Sequence, residues 1–148
     1  MEGGGAEGEE SVLGSEAQVI QGTELAAIPL FSALTDADRD EIAAAMREDR
    51  VPEDTFVIER GDLSYKFFVI LEGAARVERA GAHLATLGRG DFFGEAGVIR
   101  KELRNADVLA ITPLRLGVLI GWDVRDLMFR YPSLETRIKG AIGERTDP

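Results

Sequence analysis

Between Val51 and Ile120 the chain is cut by Gly61, Gly73, Gly81, Gly88, Gly90, Gly94 and Gly97 into apolar runs of only a few residues each. Runs of that length suit strands closed by tight turns, not helices with a buried face. Thr55–Ile58 is β-branched and aromatic, and Lys66–Leu71 is apolar on both faces. Ala75 and Val77 alternate with Arg76 and Glu78, the period of a half-buried strand. Leu84–Leu87, Asp107–Ile111 and Leu114–Ile120 complete the set, the last two separated by Thr112-Pro113. Short strands at roughly ten-residue spacing predict a mainly β fold, an antiparallel β-roll of the jelly-roll kind.

Helices flank the roll. Thr35 reads as an N-cap, with Asp36, Asp38 and Asp40 in or near the first turn, where the helix dipole favours acids. Leu34, Ile42 and Met46 give that helix its apolar points, to about Glu48. Just before it, Ile28-Pro29-Leu30-Phe31 reads as a turn that tucks apolar side chains onto the same core. After the roll, Trp122–Phe129 places Val124, Leu127 and Met128 on one stripe, and Trp122 is expected to pack into the core or as a cap. Pro132-Ser133 ends that helix and starts a second, with Leu134, Ile138 and Ile142 four residues apart. The expected order is one N-terminal helix, the roll, and two C-terminal helices.

Charge divides the chain differently. Residues 1–24 hold six Glu, six Gly and no Lys or Arg, so they carry −6 of the net −10. A Gly/Glu segment with few large apolar groups cannot offset its ordering entropy, and disorder is expected there. The folded domain is expected over 25–144, with 145–148 as a short tail.

Composition removes whole classes of function. There is no Cys, and His83 is the single histidine, expected in an exposed hairpin turn. Disulfides, thiolate metal sites, cysteine nucleophiles and the histidine clusters of metal-dependent roll enzymes are therefore excluded. With a pI near 4.6, the chain is a poor candidate for holding DNA by bulk electrostatics. No apolar run approaches the roughly 20 residues that span a bilayer. The acidic, glycine-rich start is unlike a signal peptide. The expected location is cytoplasmic.

One segment breaks the strand rhythm. Gly90-Asp91-Phe92-Phe93-Gly94-Glu95-Ala96-Gly97-Val98-Ile99 lies between two strands, and Glu95–Ile99 reads as a single helical turn. A glycine opening such a turn leaves backbone N–H groups uncovered, which favours an anion. Arg104 can offer a phosphate a bidentate fork. A carboxylate beside that phosphate, Glu95, can accept a ribose hydroxyl. Gly94, Glu95 and Arg104 thus describe a sugar-phosphate pocket.

Here the sequence resembles the cyclic nucleotide-binding domain family, to which regulatory subunits of cyclic-AMP-dependent protein kinase, nucleotide-gated channels and the catabolite activator belong. Phe93-Gly94-Glu95, then Arg104 nine positions after the glutamate, then Ala106, match the family's phosphate-binding cassette. Ile28-Pro29-Leu30-Phe31, Glu59-Arg60-Gly61-Asp62, Val69-Ile70-Leu71-Glu72-Gly73 and Leu87-Gly88-Arg89-Gly90-Asp91 follow the family's order, and the likeness spans about 25–144.

The resemblance implies a non-catalytic sensor whose ligand is a cyclic nucleotide, with no metal and no further cofactor. By position, Gly94 admits the phosphate, Glu95 accepts the ribose 2′-hydroxyl and Arg104 pairs with an equatorial phosphate oxygen. The N–H groups of Ala96 and Asn105 complete the cradle, and Phe93 and Ala106 flank it. Four positions depart from the family pattern. Leu103 stands where proline is usual, Asn105 where Ser, Thr or Ala is usual, and Ala96 and Gly97 replace bulkier residues. Cyclic AMP is favoured over cyclic GMP, while Asn105 leaves base preference open. Asp107 adds a negative charge near the site, with an effect set by where it points. The last helix is the expected lid, with Arg137, Ile138 and Ala141 approaching the base. The expected output is to an unknown protein partner, with no DNA or membrane binding, by a monomer or weak dimer. Two alternatives stay open: a degenerate copy of the fold serving as an interaction module, and the sensor half of a transcription regulator without its DNA-binding domain.

Overall fold

The backbone hydrogen bonds of the strand runs close into two four-stranded sheets in the computed structural model, which describes residues 19–101 and 103–145. The elements are α1 (Gly22–Ala26), a 3₁₀ turn (Pro29–Phe31), α2 (Asp36–Ala45), β1 (Arg47–Val51), β2 (Phe56–Ile58), β3 (Lys66–Glu72), β4 (Ala75–Arg79) and β5 (Ala82–Leu87). They continue with β6 (Phe92–Phe93), α3 (Glu95–Arg100), β7 (Asp107–Ala110), β8 (Leu114–Ile120), α4 (Gly121–Arg130) and α5 (Pro132–Arg145). One sheet has the order β1–β8–β3–β6 and the other β2–β7–β4–β5, and every pairing is antiparallel. This is the mainly β roll with flanking helices that the strand spacing predicts.

Strand β3 explains why Lys66–Leu71 is apolar throughout. Successive side chains leave a strand on opposite faces. Phe68 and Ile70 fill the roll interior with Ile58, Leu87, Phe93 and Val108. Phe67, Val69 and Leu71 instead meet a second core made by the helices, including Leu25, Phe31, Ile42, Val124, Leu127, Leu134 and Ile138. The helices bury the outer face of one sheet and leave the roll interior to the strands.

Order begins earlier than residue 25. Ile20 is buried, and Gln21 N–H donates to the Glu24 carboxylate at 2.9 Å at the start of α1. Residues 1–18, most of the expected tail, and 146–148 lie outside the described residues. The helix begun by Thr35, whose hydroxyl accepts Asp38 N–H at 3.1 Å, stops at Ala45, short of Glu48. Arg47–Val51 forms strand β1, paired only with β8. Its charged sequence hides it: Arg47, Glu48, Asp49 and Arg50 leave no apolar residues to alternate. Glu48 nevertheless turns inward: it accepts from Arg115 Nε at 2.5 Å, both side chains being nearly fully buried. Arg115 also bonds Glu24 on α1, so one buried guanidinium ties the N-terminal helix and β1 to the central strand.

Trp122 corrects the expectation of core packing. It is 77% exposed, and Phe129 further along α4 is 87% exposed. The buried stripe of α4 is Val124, Leu127 and Met128, and Trp122 falls off it. Among the described residues, no helix is long and apolar enough to cross a membrane.

Candidate functional site

The turn from Gly88 to Asp91, held by the Asp91 carboxylate accepting Gly88 N–H at 2.8 Å, delivers the chain into the two-residue strand β6. Phe93 ends β6, 4% exposed, with its ring stacked on Phe68 at 4.9 Å between centroids. That stack sets the height at which the chain leaves the sheet. Gly94 then takes φ +90°, a conformation L side chains rarely adopt. A Cβ there would lie 2.7 Å from the Lys66 carbonyl oxygen and 3.3 Å from the Phe68 ring. Helix α3 follows at once, with Glu95 and Gly97 buried and Val98 locked into the helical core. Arg125 of α4 donates to the Val98 carbonyl at 3.0 Å, which fastens α3 from the other side.

Arg104 returns to the same place from the far end of the loop. It is 6% exposed, and its Nη1 donates to the Gly94 carbonyl at 2.9 Å while Nη2 donates to the Lys66 carbonyl at 2.7 Å. Gly97 lets it in: a Cβ there would stand 2.9 Å from the guanidinium carbon and 3.1 Å from the Ser64 carbonyl. The departure from bulkier residues at position 97 is thus the space the arginine occupies. Arg104 Nε is buried with no hydrogen-bond partner among the described residues. Burial pushes the Arg104 pKa down, and the nearby charges of Glu95 and Asp62 push the other way. A buried cation held by carbonyl dipoles, with its Nε–H unused, has positive potential to offer an anion.

The structure brings Phe93, Gly94, Glu95, Ala96 and Arg104 around one turn. Glu95 is 5% exposed and its charge acts on Arg104, and Ala96 is half-buried. Asn105 is exposed, with its carbonyl accepting from Arg79 Nε at 3.0 Å, and Ala106 is half-buried behind it. A cavity of about 320 Å³ is lined by residues 49–52 and 55–58 with Asp62, Ser64, Lys66 and Phe68. It reaches the two residues that meet Arg104 and Gly94 but is not lined by Gly94, Glu95 or Arg104 themselves.

The three residues expected over the base lie on the last helix, beside the cassette helix. Ile138 is 2% exposed in the helical core with Val98 and Leu134, and Arg137 bonds the Pro29 carbonyl. Ala141 is half-buried on the same helix. His83 is exposed and hydrogen-bonds Thr86 Oγ1 at 2.9 Å. Among the described residues, no group of three or more His, Cys, Asp or Glu could hold a metal ion.

Sequence reasoning misses the Lys66 carbonyl and Arg79. A backbone acceptor leaves no residue-type signal, and Arg79 looks like any polar residue at the end of an alternating strand. The Glu59–Asp62 motif does carry a signal, and its backbone pairs with Arg104: Arg104 N–H to Asp62 O and Gly61 N–H to Arg104 O, each 2.8 Å.

Comparison with known proteins agrees with this geometry. The family model described as cyclic nucleotide-binding domain matches residues 48–131, more than half of the 148-residue chain. The chain is 35% identical to a cyclic nucleotide-gated potassium channel of Rhizobium etli, a match covering 84% of this chain and 35% of that protein. It is 37% identical to a cAMP-dependent protein kinase regulatory subunit of Schizosaccharomyces pombe, covering 80% of this chain and 31% of that protein. The chain therefore spans about a third of the length of these curated relatives. The regulatory domain of Toxoplasma gondii PKA with cAMP shares its fold at a TM-score of 0.73 and 22% identity, covering 81% of this chain and 48% of that one. With the family model matched over the roll and the cassette residues gathered around one glycine-opened turn, the chain belongs to the cyclic nucleotide-binding domain family.

Proposed function

We propose that residues 25–144 form a non-catalytic cyclic nucleotide sensor that takes cyclic AMP in preference to cyclic GMP. One observation carries the reading: Arg104 is buried beside the Gly94 turn, bound to neutral carbonyls, with its Nε unused. A phosphate oxygen reaching this guanidinium can use the free Nε–H, or displace a carbonyl. The Arg104–carbonyl bonds already have a charged donor, but a phosphate puts a full negative charge where the carbonyl offers only a dipole, so the phosphate wins that exchange. Glu95 accepts the ribose 2′-hydroxyl, the N–H groups of Ala96 and Asn105 donate to the phosphate, and Phe93, Gly94 and Ala106 shape the seat. The relative named for cAMP dependence and the neighbour solved with cAMP support the preference for adenine.

In this reading α5 is the lid, and its present packing through Ile138 and Arg137 is the open position. Binding shifts the population toward a closed state to the extent that the closed state adds contacts to the base. The sensor is cytoplasmic, monomeric or weakly dimeric, and signals to a protein partner. A second reading rests on the same guanidinium. Because the Gly94 and Lys66 carbonyls already give each Nη group a partner, the roll serves in this reading as an interaction module with no ligand.

Thermal unfolding with cyclic AMP, cyclic GMP and linear 5′-AMP separates the two readings. At a hundredfold excess over Kd, a single-site ligand stabilises by about 2.7 kcal/mol. The sensor reading predicts a shift of that size with cyclic AMP and a smaller one with 5′-AMP, which lacks the ring geometry. No shift at millimolar cyclic nucleotide favours the module.

A further inference from the structure

We propose that Asp107 is a positioning residue for Arg104, acting through the turn Glu59–Asp62 rather than on the ligand. The inference rests on the nucleotide-binding reading above. Three consecutive N–H groups of that turn are accounted for in three ways. Asp62 N–H closes the turn onto the Glu59 carbonyl at 3.1 Å, and Gly61 N–H donates to the Arg104 carbonyl at 2.8 Å. Arg60 N–H donates to Asp107 Oδ1 at 2.6 Å, the one side-chain bond of the three. The Asp62 carbonyl completes the exchange by accepting Arg104 N–H at 2.8 Å.

The carboxylate of Asp107 therefore anchors the turn that grips the Arg104 backbone from both sides. Asp107 is itself held by the sheet, as the first residue of β7 and opposite Glu78 of β4. A rigid strand thus reaches back three residues and sets the place from which the Arg104 side chain enters the seat under Gly94. Angular tolerance in such a seat is small, because both Nη bonds end on fixed main-chain carbonyls. The arrangement also accounts for a negative charge so near an anion site. The carboxylate is occupied by a backbone N–H, where a neutral acceptor of the same shape would serve equally.

Asp107→Asn, Asp107→Glu and Asp107→Ala in the full chain test the proposal, read by calorimetric titration with cyclic AMP and by amide hydrogen exchange without ligand. Asp107→Ala is expected to speed exchange at Gly61 and Arg104 and to weaken binding roughly tenfold, the scale of one lost hydrogen bond to a charged group. Asp107→Asn, which keeps an acceptor oxygen in place, should restore both. Asp107→Glu, which keeps the charge but moves the oxygen, should restore neither. Unchanged exchange at Gly61 and Arg104 in Asp107→Ala overturns the proposal, as does rescue by Glu but not Asn. Should Asp107→Ala fail to fold, the Asn and Glu variants decide on the same two readouts. If the unaltered chain binds no nucleotide, the nucleotide reading fails, and the exchange pattern still decides whether Asp107 positions Arg104.

Discussion

Arg104 and Gly97 are a matched pair, and each limits what the other can be. The guanidinium lies where a side chain at position 97 would go, its carbon 2.9 Å from the place a Cβ would take. Gly97→Ala therefore forces the arginine or the Ser64 carbonyl to move. Overpacking a filled site costs about 1–3 kcal/mol, so urea unfolding should show a loss in that range together with weaker cyclic nucleotide binding. Arg104→Lys keeps the charge but offers a single ammonium where two carbonyls, 2.9 and 2.7 Å from separate nitrogens, expect a fork. Equilibrium titration should show the Arg104→Lys variant binding cyclic AMP roughly tenfold more weakly than the unaltered chain, with thermal stability in the absence of ligand changed far less. The cassette was legible from residue types because Gly94, Glu95 and Arg104 are unusual in kind. The carbonyls that hold Arg104 were not, since every residue has one.

At the scale of elements, buried charge ties the pieces together. Arg115 of β8 holds Glu48 of β1 and Glu24 of α1, and its own side chain is 4% exposed. Removing one partner of a buried pair leaves a charge without compensation, a loss of roughly 3–5 kcal/mol. Glu48→Ala should lower stability by less than that full range in chemical denaturation, because Glu24 still pairs with Arg115, and Glu24→Ala by less again, because the Glu24 side chain is 30% exposed. The Arg115 hydrogen bond holds Glu24 below the ordinary carboxylate value of 4.5, with burial opposing. A lowered folded pKa contributes stability that is full above the unfolded value and is lost as pH falls through the folded one. Glu24→Gln should thus flatten the loss of stability below about pH 4.5 relative to the unaltered chain, as read by acid titration of unfolding. These ties also mark where the sequence was opaque. Arg47–Val51 has no strand alternation, because Glu48 faces in toward a partner 67 residues away. Gly22–Ala26 is five residues long, and it is helical because Leu25 and Ile20 bury against the core and Glu24 meets Arg115. Neither pairing is visible from local spacing.

For the whole molecule, six of the eight strands and the helical flanks are legible because they repeat: period two in β4, full burial in β3, and glycine at the turns, while β1 and the two-residue β6 carry no such signal. Charge sets the molecule's choice of partners. The net charge is −10, yet six of those negatives fall within residues 1–24, so the remainder can accept an anion at one prepared place. A mobility-shift assay at physiological salt should show no DNA complex, since phosphate binding along a duplex needs many cations rather than one. In the proposed function, one buried arginine is what makes this roll a cyclic nucleotide sensor. Calorimetric titration of the full chain and of Arg104→Ala with cyclic AMP and cyclic GMP tests that claim most directly. Saturable one-site binding, tighter for cyclic AMP, is expected of the unaltered chain, and Arg104→Ala should lose it almost entirely while remaining folded. Equal binding by Arg104→Ala, or no heat from the unaltered chain at millimolar nucleotide, would contradict it.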